Sequence, residues 1–363
     1  MKKLDAKLQS IFLLPKFCKK MIYKLINQVL KQHFCHSCLQ FYFTFVIFVV
    51  AERETELMEK FDLHILGCGS ATTSFRHMPS CQVLNIRDNL FMIDCGEAAQ
   101  LGFARQHLKM QRLNHIFISH LHGDHCFGLP GLLATLDLHQ RTGPLTIHIN
   151  ADGAKVFRQF FDFFLADGSY QIEFNIIGRQ QAVIYEDDAI TVETFPLKHR
   201  VPTAGFLFRE KPKLRHIKGD MVRFYEVPIY LYNDLRHGAD FVTPDLQTIP
   251  NHVLTSDADP CISYAYCSDT AYYPRIAESV KQPTWIYHEA TYTDQFTALA
   301  AERGHATARQ AAQIATLTGA QNLILGHFSK RYTSEEAFKS EAEEAFAGRV
   351  MLANEGLTID LTK

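Results

Sequence analysis

Ser119-His-Leu-His-Gly-Asp-His125 places three histidines and an aspartate within six residues, directly after the apolar stretch Ile116-Phe-Ile118. Alternate residues of an extended chain point the same way, so His120 and His122 can reach one ion. Gly123 permits a tight turn. Beyond it, the adjacent Asp124 and His125 can address a second ion. Imidazole and carboxylate donors suit zinc, with manganese or iron as alternatives.

Four ligands are too few for two ions that keep a position open for water, so other strand ends must supply more. His199 follows Phe195-Pro-Leu-Lys198, Asp269 follows Tyr266-Cys-Ser268, and His327 follows Ile324-Leu-Gly326. Open α/β sites gather their ligands at such places. The set then divides: His120, His122 and His199 on one ion, Asp124, His125 and His327 on the other, Asp269 bridging them.

Outward from this motif, short β-like runs recur between turn residues. They are 61–66, 81–87, 89–93, 113–119, 145–149, 190–195, 205–209, 261–267, 284–287, 322–325, 350–352 and 357–361. Helical patterns fall at 97–106, 131–139, 154–164, 269–280, 307–318 and 334–347, with capping-box signals at Thr307-x-x-Gln310 and Thr333-x-x-Glu336. Hairpins first and strand–helix alternation later predict an α+β architecture of two packed mixed sheets with helices outside.

Hydrophobic residues are 47% and charged residues 21% of the 363, which excludes a disordered or collagen-like chain. The net charge of −2 gives no bulk case for non-specific nucleic-acid binding. That average hides two local excesses. Residues 1–57 hold nine Lys/Arg against four Asp/Glu, while the remainder holds 28 against 35. Residues 200–223 hold seven Lys/Arg against two Asp/Glu inside the otherwise acidic portion. Within residues 208–241, a candidate insertion, Arg209, Lys211, Lys213, Arg215 and Lys218 form a basic arm suited to phosphates. The other reading is a solvated charged loop.

The leader combines lysines with the apolar run Phe41–Val50 and Cys35-His-Ser-Cys38. Three readings stay open for 1–57: a signal-anchor helix, a basic helix on a membrane surface, and translated upstream sequence ahead of a natural start at Met58. We favour the last, because Met58-Glu-Lys leads straight into the first strand; 58–363 is then the working domain and needs no membrane partner. The CxxC spacing has no second pair and is a weak zinc signal. Nine cysteines, an odd and sparse set, fit a reducing, cytoplasmic setting.

Over residues 61–361 the pattern resembles the metallo-β-lactamase superfamily and, within it, the ribonuclease Z family. Gly67-Cys-Gly-Ser-Ala71 resembles the first glycine loop, and Asp94-Cys-Gly-Glu97 carries the aspartate that supports the site from behind. His120–His125 continues into Gly128-Leu-Pro-Gly-Leu-Leu133. His199 is followed by Pro202 and Gly205, and Ser268-Asp-Thr270 carries the bridging aspartate. His288-Glu-Ala-Thr291 with Gly304-His-Ala-Thr307 resembles the family's paired signature, and His327-Phe-Ser-Lys-Arg-Tyr332 closes the series.

The resemblance implies an αββα sandwich, two zinc ions, a homodimer, and removal of the 3′ trailer from precursor tRNA. In that chemistry Asp124 would orient the water and take its proton, and His305, held by Glu289, would protonate the leaving oxygen. Arg331 would touch substrate phosphate. Two departures stand out: Ala306 replaces a usual serine, and the arm lacks the family's Gly-Pro motif. The competing readings are a small-molecule dinuclear phosphodiesterase or lactonase, which needs no basic arm, and a non-catalytic scaffold.

Overall fold

A computed structural model describes residues 60–165 and 167–363. The readings for 1–57, including Cys35-His-Ser-Cys38, lie outside the described residues. Among the described residues no helix is long and apolar enough to cross a membrane.

The strands up to the insertion are β1 (Phe61–Gly67), β2 (Cys81–Ile86), β3 (Asn89–Ile93), β4 (Leu113–Phe117), β5 (Leu145–Ile149), β6 (Ile172–Ile176), β7 (Ala182–Glu186), β8 (Ile190–Pro196) and β9 (Ala204–Glu210). One seven-stranded sheet runs Thr358–Asp360, β1, β2, β3, β4, β5, β6. The other runs Arg349–Leu352, Asn322–Gly326, Trp285–Glu289, Ser263–Cys267, β9, β8, β7. Both are mixed, as expected: β1 to β3 pair antiparallel, β3 to β6 parallel.

Alternation along the strands sorts the core. Phe61, Leu63, Ile65, Leu84, Phe91, Ile93 and Phe117 share one apolar cluster with Val192, Phe206, Phe208, Tyr264 and Tyr266 of the second sheet. The intervening Val83, Leu90, Met92 and Ile116 belong to a second cluster, with Phe103, Leu132, Leu136 and Phe157 from outer helices. The sheets therefore face each other and helices cover the outside, the sandwich that the pattern predicted.

Four expectations need correction, three of them about single elements. The predicted helix at 269–280 is reduced to Ile276–Ser279. Its start is bonded sideways instead: Ala271 N–H donates to the Lys198 carbonyl at 2.7 Å, and Lys198 N–H to Thr270 Oγ1 at 3.0 Å. The box at Thr307 forms with both of its hydrogen bonds, but the Thr333 signal does not cap a helix. The helix Glu336–Glu343 begins after Glu335, whose carboxylate is held by Arg76. Strands β6 and β7 carry no clean apolar alternation because they are sheet edges, half open to solvent on both faces.

The insertion is longer than 208–241. Ser263 pairs with Arg209 in the main sheet, so everything between Glu210 and Ser263 leaves the sandwich and returns. It has its own small core of Val222, Val227, Leu235, Phe241, Ile249 and Leu254.

Candidate metal centre

Strand ends deliver the site. His120 and His122 follow β4, His199 follows β8, Asp269 follows Ser263–Cys267, and His327 follows Asn322–Gly326. Asp124 and His125 occupy the first turn of the short helix Gly123–Cys126. A Cβ on Gly123 would stand 2.5 Å from the ring of the exposed Phe127, which would have to swing aside. A Cβ on Gly128 would stand 2.0 Å from the Gly96 carbonyl oxygen, which explains the glycine opening the GLPGLL run.

All seven predicted ligands converge. His122 Nδ1 lies 3.1 Å from His120 Nε2 and 3.3 Å from His199 Nε2. Asp269 Oδ2 completes this group, 3.5 Å from His120 Nε2 and 3.8 Å from His199 Nε2. In the second group His125 Nε2 is 3.3 Å from His327 Nε2. Asp124 Oδ2 is 3.6 and 3.4 Å from those two nitrogens. Asp269 Oδ1 is 3.4 and 3.1 Å from the same pair. Each aspartate oxygen thus serves one group. Donors around a four-coordinate zinc ion stand about 3.3–3.6 Å apart, as its bond lengths require.

The outer nitrogens show which inner atoms carry lone pairs. His125 Nδ1 donates to Asp94 Oδ2 at 2.7 Å, and His199 Nδ1 donates to the Gly304 carbonyl at 2.7 Å. A carboxylate and a carbonyl only accept, so both Nε2 atoms face inward unprotonated when the rings are neutral. His120 Nδ1 meets Ser119 Oγ at 3.0 Å, and His327 Nδ1 meets Thr291 Oγ1 at 2.9 Å. Converging lone pairs repel without a cation. Asp269 Oδ1 is buried without a hydrogen-bond partner. The donor set therefore fits two divalent ions.

Asp94 stands behind His125 and Ser119. It is fully buried and accepts from Ser119 N–H, Ser119 Oγ, His125 Nδ1 and Tyr266 Oη at 2.7–2.9 Å. Burial pushes the Asp124 carboxyl up, but the His327 hydrogen bond and the His125 charge outweigh this and hold it below the usual carboxylate range. Its Oδ2 also accepts the Ala71 N–H at 2.6 Å.

Beside the ligands, Glu289 is fully buried and gathers donors. Oε1 accepts from Thr270 N–H and Ala306 N–H at 3.1 Å, and from His305 Nδ1 at 2.9 Å. Oε2 accepts from Thr291 N–H and its hydroxyl at 2.9 and 2.8 Å. Because Ala306 contributes its backbone amide, alanine in place of serine leaves this contact intact. Burial opposes the charge on His305, but Glu289 prevails and raises its pKa to about 9. His305 Nδ1 is 4.0 Å from Asp269 Oδ2, so the pair borders the ligands.

Residue reading did not assign a role to Thr291, Tyr266, Ser119 or the Ala71 amide. Thr291 was visible in the paired signature. The amide had no side-chain signal to find.

The arm cations have other partners. Lys211 pairs with Glu186 at 2.6 Å, Lys213 with Glu210 at 2.9 Å, and Arg215 with Asp257 at 2.7 Å. Lys218 donates to the His252 carbonyl at 2.8 Å. Arg209 lies within β9, and Arg331 covers the Phe296 ring at 4.6 Å.

Comparison with known proteins agrees with this geometry. A profile described as Anti-Pycsar protein Apyc1 matches residues 61–222. Among solved structures, the short form of human tRNase Z superposes with TM-score 0.60 at 23% identity, covering 83% of this chain and 99% of that one. The metallo-β-lactamase fold protein YhfI from Bacillus subtilis gives TM-score 0.58 at 16% identity, covering 83% and 99%. These fix the fold. Ribonuclease Z of Bacteroides thetaiotaomicron is 48% identical over 84% of this chain and 96% of its own length. Ribonuclease Z of Porphyromonas gingivalis is 43% identical over 84% and 100%. At these identities, over nearly the whole of each relative, the chain belongs to the ribonuclease Z family of endoribonucleases.

Proposed function

We propose that the protein removes the 3′ trailer from precursor tRNA, leaving a 3′-hydroxyl on the tRNA, and that it works as a cytoplasmic homodimer. One observation carries the reading: the two ligand groups share Asp269, one oxygen each, and the His305–Glu289 pair stands beside them.

His120, His122, His199 and Asp269 would hold one ion, and Asp124, His125, His327 and Asp269 the other. When bound, two divalent ions, zinc in our reading with manganese as the alternative, acidify a water and neutralise phosphate charge. Asp124, oriented by the Ala71 amide, takes the proton from the attacking water. His305 gives Nδ1–H to Glu289, which keeps the ring protonated, and its Nε2–H goes to the departing ribose 3′ oxygen. Arg331, on the same strand-end loop as His327, would meet substrate phosphate. The insertion grips the folded RNA by shape while the single-stranded 3′ end enters the cleft.

The test is cleavage of a 3′-extended precursor tRNA by the full chain, beside Asp124→Ala and a chelator-treated sample. We expect a discrete cut near the discriminator base, reduced about 10²–10⁴-fold in the variant and lost on chelation. Metal-loaded protein that hydrolyses small phosphodiesters but leaves this RNA whole would replace the reading with a small-molecule phosphodiesterase.

A further inference from the structure

Outside the cleft, a second constellation joins the first glycine loop to the C-terminal segment. Cys68 Sγ is 3.3 Å from His77 Nδ1 and 3.6 Å from Glu355 Oε1. His77 Nδ1 is 2.9 Å from Glu355 Oε2. We propose that Cys68, His77 and Glu355 form a third metal site, selective for zinc.

Three observations support it. First, one donor atom from each of the three side chains lies within 4.8 Å of the others; the sulfur–nitrogen spacing matches the donor separation of about 3.3–3.6 Å around tetrahedral zinc, and His77 Nδ1 and Glu355 Oε2 need open by only a few tenths of an ångström. Second, the outer atoms are already held. His77 Nε2 faces Glu335 Oε1 at 3.2 Å, and Arg76 grips that carboxylate with contacts of 2.6 and 2.5 Å. Glu355 Oε1 accepts from Met78 N–H at 2.9 Å and Cys68 N–H at 3.3 Å. A histidine with a carboxylate behind it is the usual setting of a zinc ligand. Third, Glu355, one of the three donors, lines a surface cavity of about 290 Å³ together with Met78. Three protein donors leave the fourth position to water. A thiolate among them selects zinc over hard ions such as calcium.

Binding is balanced by protons. Burial and then the Glu355 charge keep the Cys68 thiol protonated without metal. The ion displaces that proton and the Nδ1 proton of a charged His77, which remains neutral with Nε2–H donated to Glu335. The consequence reaches the cleft without entering it. The pinned loop carries Ala71, whose amide bonds Asp124 Oδ2.

The test does not use activity and is separable from the proposed function, because none of the cleft ligands is a sulfur atom. The full chain is loaded with Co²⁺ and its near-ultraviolet spectrum recorded, with zinc counted by elemental analysis. We expect a sulfur-to-cobalt charge-transfer band and three zinc ions per chain. Cys68→Ser should abolish the band and leave two ions; Asp269→Ala should keep the band. A wild-type chain with two ions and no band overturns the proposal, and so does a band that survives Cys68→Ser. Should Cys68→Ser fail to fold, the wild-type spectrum and ion count still decide it.

Discussion

The metal cleft and the insertion are both dense in charged side chains, yet they spend them differently. In the cleft, hydrogen bonds hold the outer nitrogens of four histidines, so their inner atoms converge on a shared centre. Around the insertion, Lys211 and Lys213 pair with Glu186 and Glu210 of the sandwich strands, while Arg215 and Lys218 find a carboxylate and a carbonyl inside the insertion itself. Residue type shows where charge is. Only the partners show whether it is directed at a ligand or consumed by the fold.

If the two regions divide chemistry from recognition, they should fail differently. Asp269→Asn removes the carboxylate shared by both donor groups and should lower kcat on precursor tRNA by about 10³-fold or more, with KM little changed. Phe241→Ala empties the insertion's own core. It should raise KM about tenfold, about 1.4 kcal/mol, while kcat on a small aryl phosphodiester holds. Steady-state kinetics on both substrates check this. A Phe241→Ala variant that loses small-diester turnover would break the division, since the insertion would then support the cleft.

Within the cleft, Glu289 and His305 provide a pH test. Glu289 holds the His305 pKa up at about 9. A raised pKa keeps the proton donor intact below that value and loses it as pH climbs through it. The kcat profile of the wild type should therefore fall on its alkaline side near pH 9. In Glu289→Gln the raising charge is gone and burial remains, so that limb should move toward lower pH, with kcat at pH 8 down about 10²-fold. An unshifted limb would remove His305 from the proton-donor role.

The same contrast explains how much the sequence disclosed. His120 through His125 were legible because alternation and a turn fix where adjacent side chains point. His199, Asp269 and His327 were legible because each ends an apolar strand. The paired sheets followed from period-two runs such as Phe61–Leu66. Local patterns failed where long-range bonds decide the outcome. The helix expected from Asp269 gave way to hydrogen bonds of Thr270 and Ala271 with Lys198, which is 72 residues before Thr270. The full insertion was hidden because only the pairing of Ser263 with Arg209 shows where it closes. The Ala71 amide and the carboxylate partners of the arm cations belong to the same class.

The smallest effect is the sharpest test of the arm. Lys211, Lys213 and Arg215 were singled out as phosphate contacts, and each has a carboxylate of the same chain within 3 Å. A cation that neutralises a phosphate releases a counterion, so losing it lowers the slope of log K against log salt by about 0.9 per contact. A cation already neutralised by Glu186, Glu210 or Asp257 has no such ion to release. The triple alanine variant should therefore keep the wild-type salt slope for precursor tRNA, measured by binding between low and moderate salt. Its stability should fall only slightly, about 0–1 kcal/mol for each exposed pair, with Lys213 the largest because Glu210 is buried. A slope reduced by two or three would show that these side chains leave their partners for the RNA. The insertion would then resemble the cleft after all, its charges held in reserve for a ligand.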